Sequence, residues 1–540
     1  MKWIKRQFED KWDLLGWIIV TLAFASNVII IFKGTWAFFH SDDATAIMFA
    51  REQWAQKKIY PDGWHYGTNI WNIGLNTIIL PFFKLCEHWL DARACAVVAQ
   101  TIVMMIFVVF YKKLQVIGKR SWLVVLAMLL PISEVISEHW YFQATYMTIV
   151  LFLMGMILFS ILSLNEKTWI KILSFIALII ILVCSISTGY SMILVFVCPM
   201  LATIFLYAIQ IYHVNQEKKQ LIKYCQLMGV IIIATVIGML YNIFLSKRLG
   251  IHTSSVGGYY FITFDKIGES VIQLVNAFMR LFGAADKNTS LLSLGGINKV
   301  LAFVYFVFLM IFLPICLIRK YKYLKSSGQK IFVLFSIISS IANIYLFIVA
   351  GMARPRYLIW CYFYAIIWMG IWIDNYEVMK FEYGKELKQG LIAFYTFLTL
   401  GVYSYYLTYD YYNNPDVLGI NNTYLDYKLD YDLLQYMEDK GYTFGYAYYW
   451  ASYSYTAASD GRVQIGAIDY DWSRPYYWLN SEKWYQPGVH TGECFVLVLN
   501  RQLEDLPEEY TALAKAKDEY NDHTIFIYDS VETVWSIWQN

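Results

Sequence analysis

Charge is what this chain has least of. Only 16% of its 540 residues are Asp, Glu, Lys or Arg, while 58% are apolar. A polypeptide so poor in charge cannot solvate an ordinary globular surface, so a soluble enzyme is excluded and a polytopic membrane protein is expected. Cysteine is also sparse. Of eight cysteines, Cys95, Cys184, Cys198, Cys225, Cys316 and Cys361 fall in apolar runs, and only Cys86 and Cys494 are expected near water. No disulfide framework follows, and no metal-ligand spacing is present. The first apolar run lacks a small-residue cleavage site, and its 19 uncharged residues exceed a signal-peptide core, so it is expected to remain as a span. Internal repeats and low-complexity linkers are absent too.

What is present is a series of uncharged runs, each long enough to cross a hydrocarbon core about 30 Å thick. Eleven spans are expected, near 14–32, 94–111, 121–138, 143–164, 169–187, 190–212, 224–246, 300–318, 331–351, 356–373 and 389–409. Basic clusters set their direction. Lys2, Lys5, Arg6 and Lys11 precede the first span, and Lys112, Lys113, Lys119 and Arg120 follow the second. Lys218, Lys219 and Lys223 follow the sixth, and Arg319, Lys320, Lys322 and Lys325 the eighth. Placing all four inside puts the N-terminus in the cytoplasm and the C-terminal segment outside. The short apolar stretch Asn69 to Phe83, with Asn69, Asn72, Asn76 and Pro81, then reads as an interfacial or re-entrant helix within a first outer loop, 33–93.

The formal charge of +2 hides an asymmetry. Residues 410–540 hold 8 Lys/Arg against 21 Asp/Glu, a net of −13 that leaves +15 on the rest. Residues 1–409 thus form a membrane domain and 410–540 a small extracytoplasmic α+β domain. Asp430 to Lys440 has a helical pattern with Gly441 as its stop, and Tyr442 to Trp450, Arg462 to Ile468, Cys494 to Asn500 and Thr524 to Asp529 have strand character. Nineteen of the 45 tyrosines lie in this domain. Such rings can stack on sugars, pack at a membrane interface or fill a core. The domain's acidity speaks against nucleic acid as a partner.

Candidate functional residues cluster on the outer side. Ser41 can cap a helix through Gln56, with Asp42 and Asp43 in its first turn, where the helix dipole favours carboxylates. Arg51 lies among apolar residues of that helix and is expected to snorkel toward headgroups. Glu134 and Glu138 stand four residues apart at the end of the third span, suiting either a hydrated cavity or a helix end reaching water. Thr188-Gly189-Tyr190-Ser191 marks a turn, and the long loop 247–299, with Gly257-Gly258 and Arg280, suits a lid or binding element. In Gly351-Met352-Ala353-Arg354-Pro355-Arg356-Tyr357, two arginines oppose the positive-inside bias. They suit a clamp on a lipid phosphate or plain contact with headgroups or an acidic neighbour. Asn288-Thr289-Ser290 and Asn421-Asn422-Thr423 are sequons of a kind that chance often produces.

An outer acid pair with outer cations suits sugar transfer, in which a carboxylate takes the acceptor's proton and cations stabilise the departing phosphate. The first span followed by Asp42-Asp43-Ala44, the interfacial helices, the Arg354-Pro355-Arg356-Tyr357-Leu358 opening of span ten and a soluble C-terminal domain together resemble GT-C class glycosyltransferases. That group includes protein O-mannosyltransferases and aminoarabinose transferases. The resemblance implies an inverting transferase in a plasma membrane, preferably bacterial, moving a sugar from a polyprenyl-phosphate donor to a cell-surface glycan, lipid or protein. It implies a base at Asp43 or Asp42, with Asp43 preferred because Asp42 is nearer the cap, and a donor-phosphate site at Arg354, Arg356 and Tyr357. A second acid or substrate contact falls on Glu138, Glu134 or His65. The chain departs from many relatives in having His65-Tyr66-Gly67-Thr68 for His-Pro-Pro, and Glu138-His139-Trp140 with Gln143 after the third span. No metal or other cofactor is expected, although the adjacent carboxylates leave a divalent ion open. The competing class is a transporter or flippase of a lipid-linked saccharide, which calls for mid-span ionisable residues and an internal repeat; a receptor with a glycan-binding outer domain is a third reading.

Overall fold

The computed structural model describes residues 11–37, 39–67, 69–118, 120–142, 147–165, 167–215, 218–251, 261–284, 290, 292–351, 354–376, 384–405 and 429–539. Lys2, Lys5, Arg6, Thr68, Lys119, Gln143, the Gly257-Gly258 pair, Met352, Ala353 and both sequons apart from Ser290 lie outside these. The chain divides into two units, one of Met1–Ile29, Gln100–Asn242 and Gly257–Gly419, the other of Ile30–Ala99, Ile243–Val256 and Ile420–Asn540.

Among the described residues, eight helices are long and apolar enough to cross a membrane: Asp13–Trp36, Trp89–Lys113, Thr168–Thr188, Ile193–His213, Lys218–Arg248, Leu294–Arg319, Ser327–Val349 and Pro355–Asp374. The expected fourth and eleventh spans contain shorter apolar helices, Val150–Leu162 and Gly390–Ser404. The expected third span is corrected. It is a pair, Ser121–Leu129 and Glu134–Tyr141, bent by 90°, which makes nine spanning elements when the pair counts as one. Pro131 explains the break, since it offers no N–H to a helix and forces the residue before it out of the helical region. Leu130 accordingly sits at φ −93°, ψ 111°.

In the first unit the Pro355–Asp374 helix is the core, with 89% of its apolar window buried, whereas Lys218–Arg248 buries only 22% and presents Ile232, Ile233 and Leu240 outward. An aliphatic face of that kind is stable against lipid. Two polar side chains of the core helix are matched: Trp368 donates to Ser336 Oγ (2.7 Å), and Tyr364 meets Ser339 (3.1 Å), whose hydroxyl reaches the Val195 carbonyl (2.8 Å). A Cβ on Gly370 would lie 2.7 Å from Val124, so glycine there permits close helix contact. Part of loop 247–299 is an amphipathic helix, Ile267–Leu281, which buries Ser270, Ala277, Phe278 and Leu281.

In the second unit, Asp430 caps the helix Tyr431–Lys440 by accepting from the Asp432 and Leu433 N–H groups, and Gly441 ends it at φ 76°. The five-stranded sheet contains β2 (Phe444–Tyr448), β3 (Gln464–Ile468), β5 (Cys494–Leu499), β6 (Ala516–Tyr520) and β7 (His523–Tyr528), in the order β3-β2-β5-β7-β6. Strand β2 is parallel to β3 and β5, while β7 is antiparallel to β5 and β6. Every residue of β2 and β5 is buried, so these strands read as continuous apolar runs. Cys494 lies within this core at 1% exposure, correcting its expected place near water. Strand β1 (Trp64–His65) of the first loop pairs antiparallel with β4 (Asn480–Ser481). First loop and C-terminal segment therefore share one core, a pairing across more than 400 residues that local patterning does not reveal.

Candidate active site

The helix Ser41–Gln56 begins from His40 at φ −137°, ψ 176°, and no side chain caps it. The expected Ser41 cap is corrected: its hydroxyl instead donates to the Trp450 carbonyl (3.0 Å). Asp42 and Asp43 do occupy the first turn, and the two point into different surroundings. Asp43 is 2% exposed and is paired with Arg93, itself 1% exposed, at 3.6 Å, with His40 Nε2 at 3.4 Å on its other oxygen. Arg93 also donates to Thr35 Oγ1 (3.4 Å). Asp42 is only half-buried. It accepts a 2.8 Å hydrogen bond from the hydroxyl of Tyr449, which also stands 3.3 Å from Thr45 Oγ1. Burial pushes the Tyr449 phenol well above its usual range, and the Asp42 carboxylate adds to that, so Tyr449 remains a donor at neutral pH.

Further along this helix, Glu52 pairs with Lys483, and Gln56 donates to the other oxygen of Glu52 (3.3 Å). The Arg51 guanidinium lies 4.4 Å from the Trp89 ring and 5.3 Å from Phe83. Asp460 accepts from the backbone N–H of Trp89 (2.7 Å) and from His88 Nδ1 (2.9 Å), and the hydrogen bond raises the His88 pKa. His65, a candidate substrate contact, is held by Glu482 at 2.8 Å and lies 4.5 Å from the Tyr477 ring.

The remaining candidates belong to the other unit. Arg354 is exposed at the start of the 3-10 turn Pro355–Leu358, and the half-buried Arg356 guanidinium lies 5.3 Å from the Tyr357 ring. Glu134 pairs with Arg280 at 2.9 Å, while Glu138 lies 3.8 Å from His139 at the start of a π-helical turn, Ser137–Phe142. Among the described residues no three His, Cys, Asp or Glu side chains are grouped as a metal site would require.

Arg93 and Tyr449 are not among the candidate residues that the sequence offers. A lone arginine near the start of a span was a signal for the first, since a charge there needs a partner; one tyrosine among 19 carried no comparable signal.

No protein-family model and no curated protein sequence matches the chain. A solved structure does: ArnT from Cupriavidus metallidurans bound to undecaprenyl phosphate, at 11% identity and a TM-score of 0.54, with 95% of this chain and 98% of that one covered. The fold is ArnT-like. This agrees with the GT-C resemblance of the sequence, and the ArnT-like helices describe a multi-pass membrane protein.

Proposed function

We propose that this chain is a GT-C type glycosyltransferase that moves a sugar from a polyprenyl-phosphate carrier to a cell-surface glycan, lipid or protein on the outer face of a plasma membrane. The observation that carries this reading is the likeness, over nearly the whole of both chains, to a protein solved with undecaprenyl phosphate bound. The orientation and the extracytoplasmic place of residues 410–540 rest on the basic clusters beside the spans.

In this reaction a carboxylate removes the proton of an acceptor hydroxyl. The oxygen attacks the anomeric carbon, the bond from that carbon to the phosphate oxygen breaks, and its electron pair leaves with the polyprenyl phosphate. Direct displacement inverts the anomeric centre. We assign the base to Asp42, because it is the member of the pair partly open to solvent and held by one hydroxyl donor. Asp43, buried against Arg93, anchors the turn that carries Asp42. Arg354, Arg356 and Tyr357 are assigned to the donor phosphate, whose oxygens match a guanidinium fork. Glu138, Glu134 and His65 are assigned contacts of second rank, since Glu134 and His65 already hold Arg280 and Glu482. No step calls for a metal ion.

The test is transfer from a synthetic polyprenyl-phosphate sugar to native membrane extract by purified full-length variants. Asp42→Asn is expected to abolish transfer with folding intact. Full activity in both Asp42→Asn and Asp43→Asn would remove the basis of the mechanism.

A further inference from the structure

We propose that Tyr470 and Tyr476 form a saccharide-binding subsite that presents an acceptor of uncharged or amino-substituted pyranose units; the acceptor role, though not the binding, rests on the transferase reading. A continuous row of rings leads to Asp42. From Tyr449, whose hydroxyl holds Asp42, the Tyr476 ring lies at 5.4 Å, Tyr470 follows at 5.5 Å from Tyr476, and Tyr448 at 4.8 Å from Tyr470. The row passes from the buried Tyr449, at 2% exposure, through the half-buried Tyr476 to Tyr470, at 54%, and the buried Tyr448 packs against Tyr470 as its support. A single exposed ring needs no explanation. A graded row from the surface to a half-buried carboxylate has the form of a sugar track, because each pyranose offers an apolar C–H face to a ring and hydroxyls at its rim.

The turn that carries the outer ring is fixed before any ligand arrives. The backbone N–H of Tyr470 donates to the Asp469 carboxylate (2.8 Å), which also pairs with Arg474 (2.8 Å), and the neighbouring Trp472 is buried with its carbonyl accepting from Tyr510 (2.7 Å). An exposed aromatic on a fixed turn loses little conformational freedom on binding. Charge selects the class of sugar. Asp469 is matched by Arg474, but the exposed Asp471 also flanks Tyr470, and residues 410–540 as a whole carry a net charge of −13, which suits hydroxyl and ammonium donors and disfavours carboxylated or phosphorylated glycans.

The experiment is donor-free equilibrium binding of the full-length protein in detergent to immobilised chitotetraose, cellotetraose and tetragalacturonate. The wild-type chain is expected to bind at least one of the two neutral tetrasaccharides and to discriminate against tetragalacturonate. Tyr470→Ala is expected to weaken that binding about tenfold while Tyr470→Phe, which keeps the ring, retains it. Failure of the wild type to bind either neutral probe, equal binding of tetragalacturonate, or equal affinity of Tyr470→Ala would overturn the proposal. Because no donor is present, these results are independent of whether Asp42→Asn abolishes transfer, and the two readings fail separately.

Discussion

Replacing Arg93 with methionine isolates the buried pair beneath the proposed base. Methionine keeps much of the side-chain volume and removes the charge, leaving Asp43, 2% exposed, without the guanidinium 3.6 Å away. Breaking a buried pair from one side costs about 3–5 kcal/mol. A ceiling exists because the carboxyl can take up a proton instead: at pH 7, protonating an ordinary aspartate costs about 4 kcal/mol, and at pH 5 only about 1.5 kcal/mol. The expected loss is therefore about 3–4 kcal/mol at pH 7, shrinking toward about 1.5 kcal/mol at pH 5. The sign follows from linkage, since a buried acid that has lost its guanidinium partner binds its proton more readily folded than unfolded, so the variant recovers stability relative to wild type as pH falls. In a unit of this size that corresponds to a fall in melting midpoint of roughly 6–16 °C at neutral pH. Thermal unfolding of the full chain in detergent, followed by tryptophan fluorescence at both pH values, reads it. Adding Asp43→Asn to Arg93→Met is expected to recover most of the loss, because no charge is then left buried. A melting midpoint within a degree of wild type at pH 7, or a loss independent of pH, would refute the ion-pair account.

Other perturbations test separate parts. Burial lowers the pKa of His523, so the folded state resists a proton that the unfolded chain accepts; stability is expected to fall as pH drops below about 6.5, and His523→Asn to flatten that slope in melting curves from pH 7.5 to 5.5. Gly441→Ala, forced to φ 76°, should cost about 1 kcal/mol, read as a lower melting midpoint. Arg354→Ala and Arg356→Ala should raise KM for the lipid donor about tenfold each, measured by initial transfer rates, with unchanged KM counting against the phosphate assignment. Transfer should persist in EDTA; a loss restored by a divalent ion would replace the metal-free mechanism.

Much of the architecture follows from local rules that the sequence carries openly. Uncharged runs of the right length located the spanning helices because lipid offers nothing to a bare charge or an unpaired amide. The helix ending at Gly441 was legible from Asp430 and that glycine, and four strands from their apolar runs. Strand β6 was not, since Ala516-Lys517-Asp518-Glu519-Tyr520 is a polar edge whose only strand signal is its pairing with β7. The third span misled because hydropathy counts Pro131 as one residue among many, whereas its ring ends the helix.

By itself, then, the sequence determined the membrane class, most of the helices and the position of two aspartates in the first turn of a loop helix, all set by neighbours a few residues apart. Tertiary structure alone decided how those aspartates differ. Arg93 lies 50 residues from Asp43 in the chain, and Tyr449 is 407 residues from Asp42. Which carboxylate is sealed against a guanidinium and which is left half-open under a tyrosine hydroxyl depends on packing of the first loop with the C-terminal sheet. No local periodicity encodes that pairing.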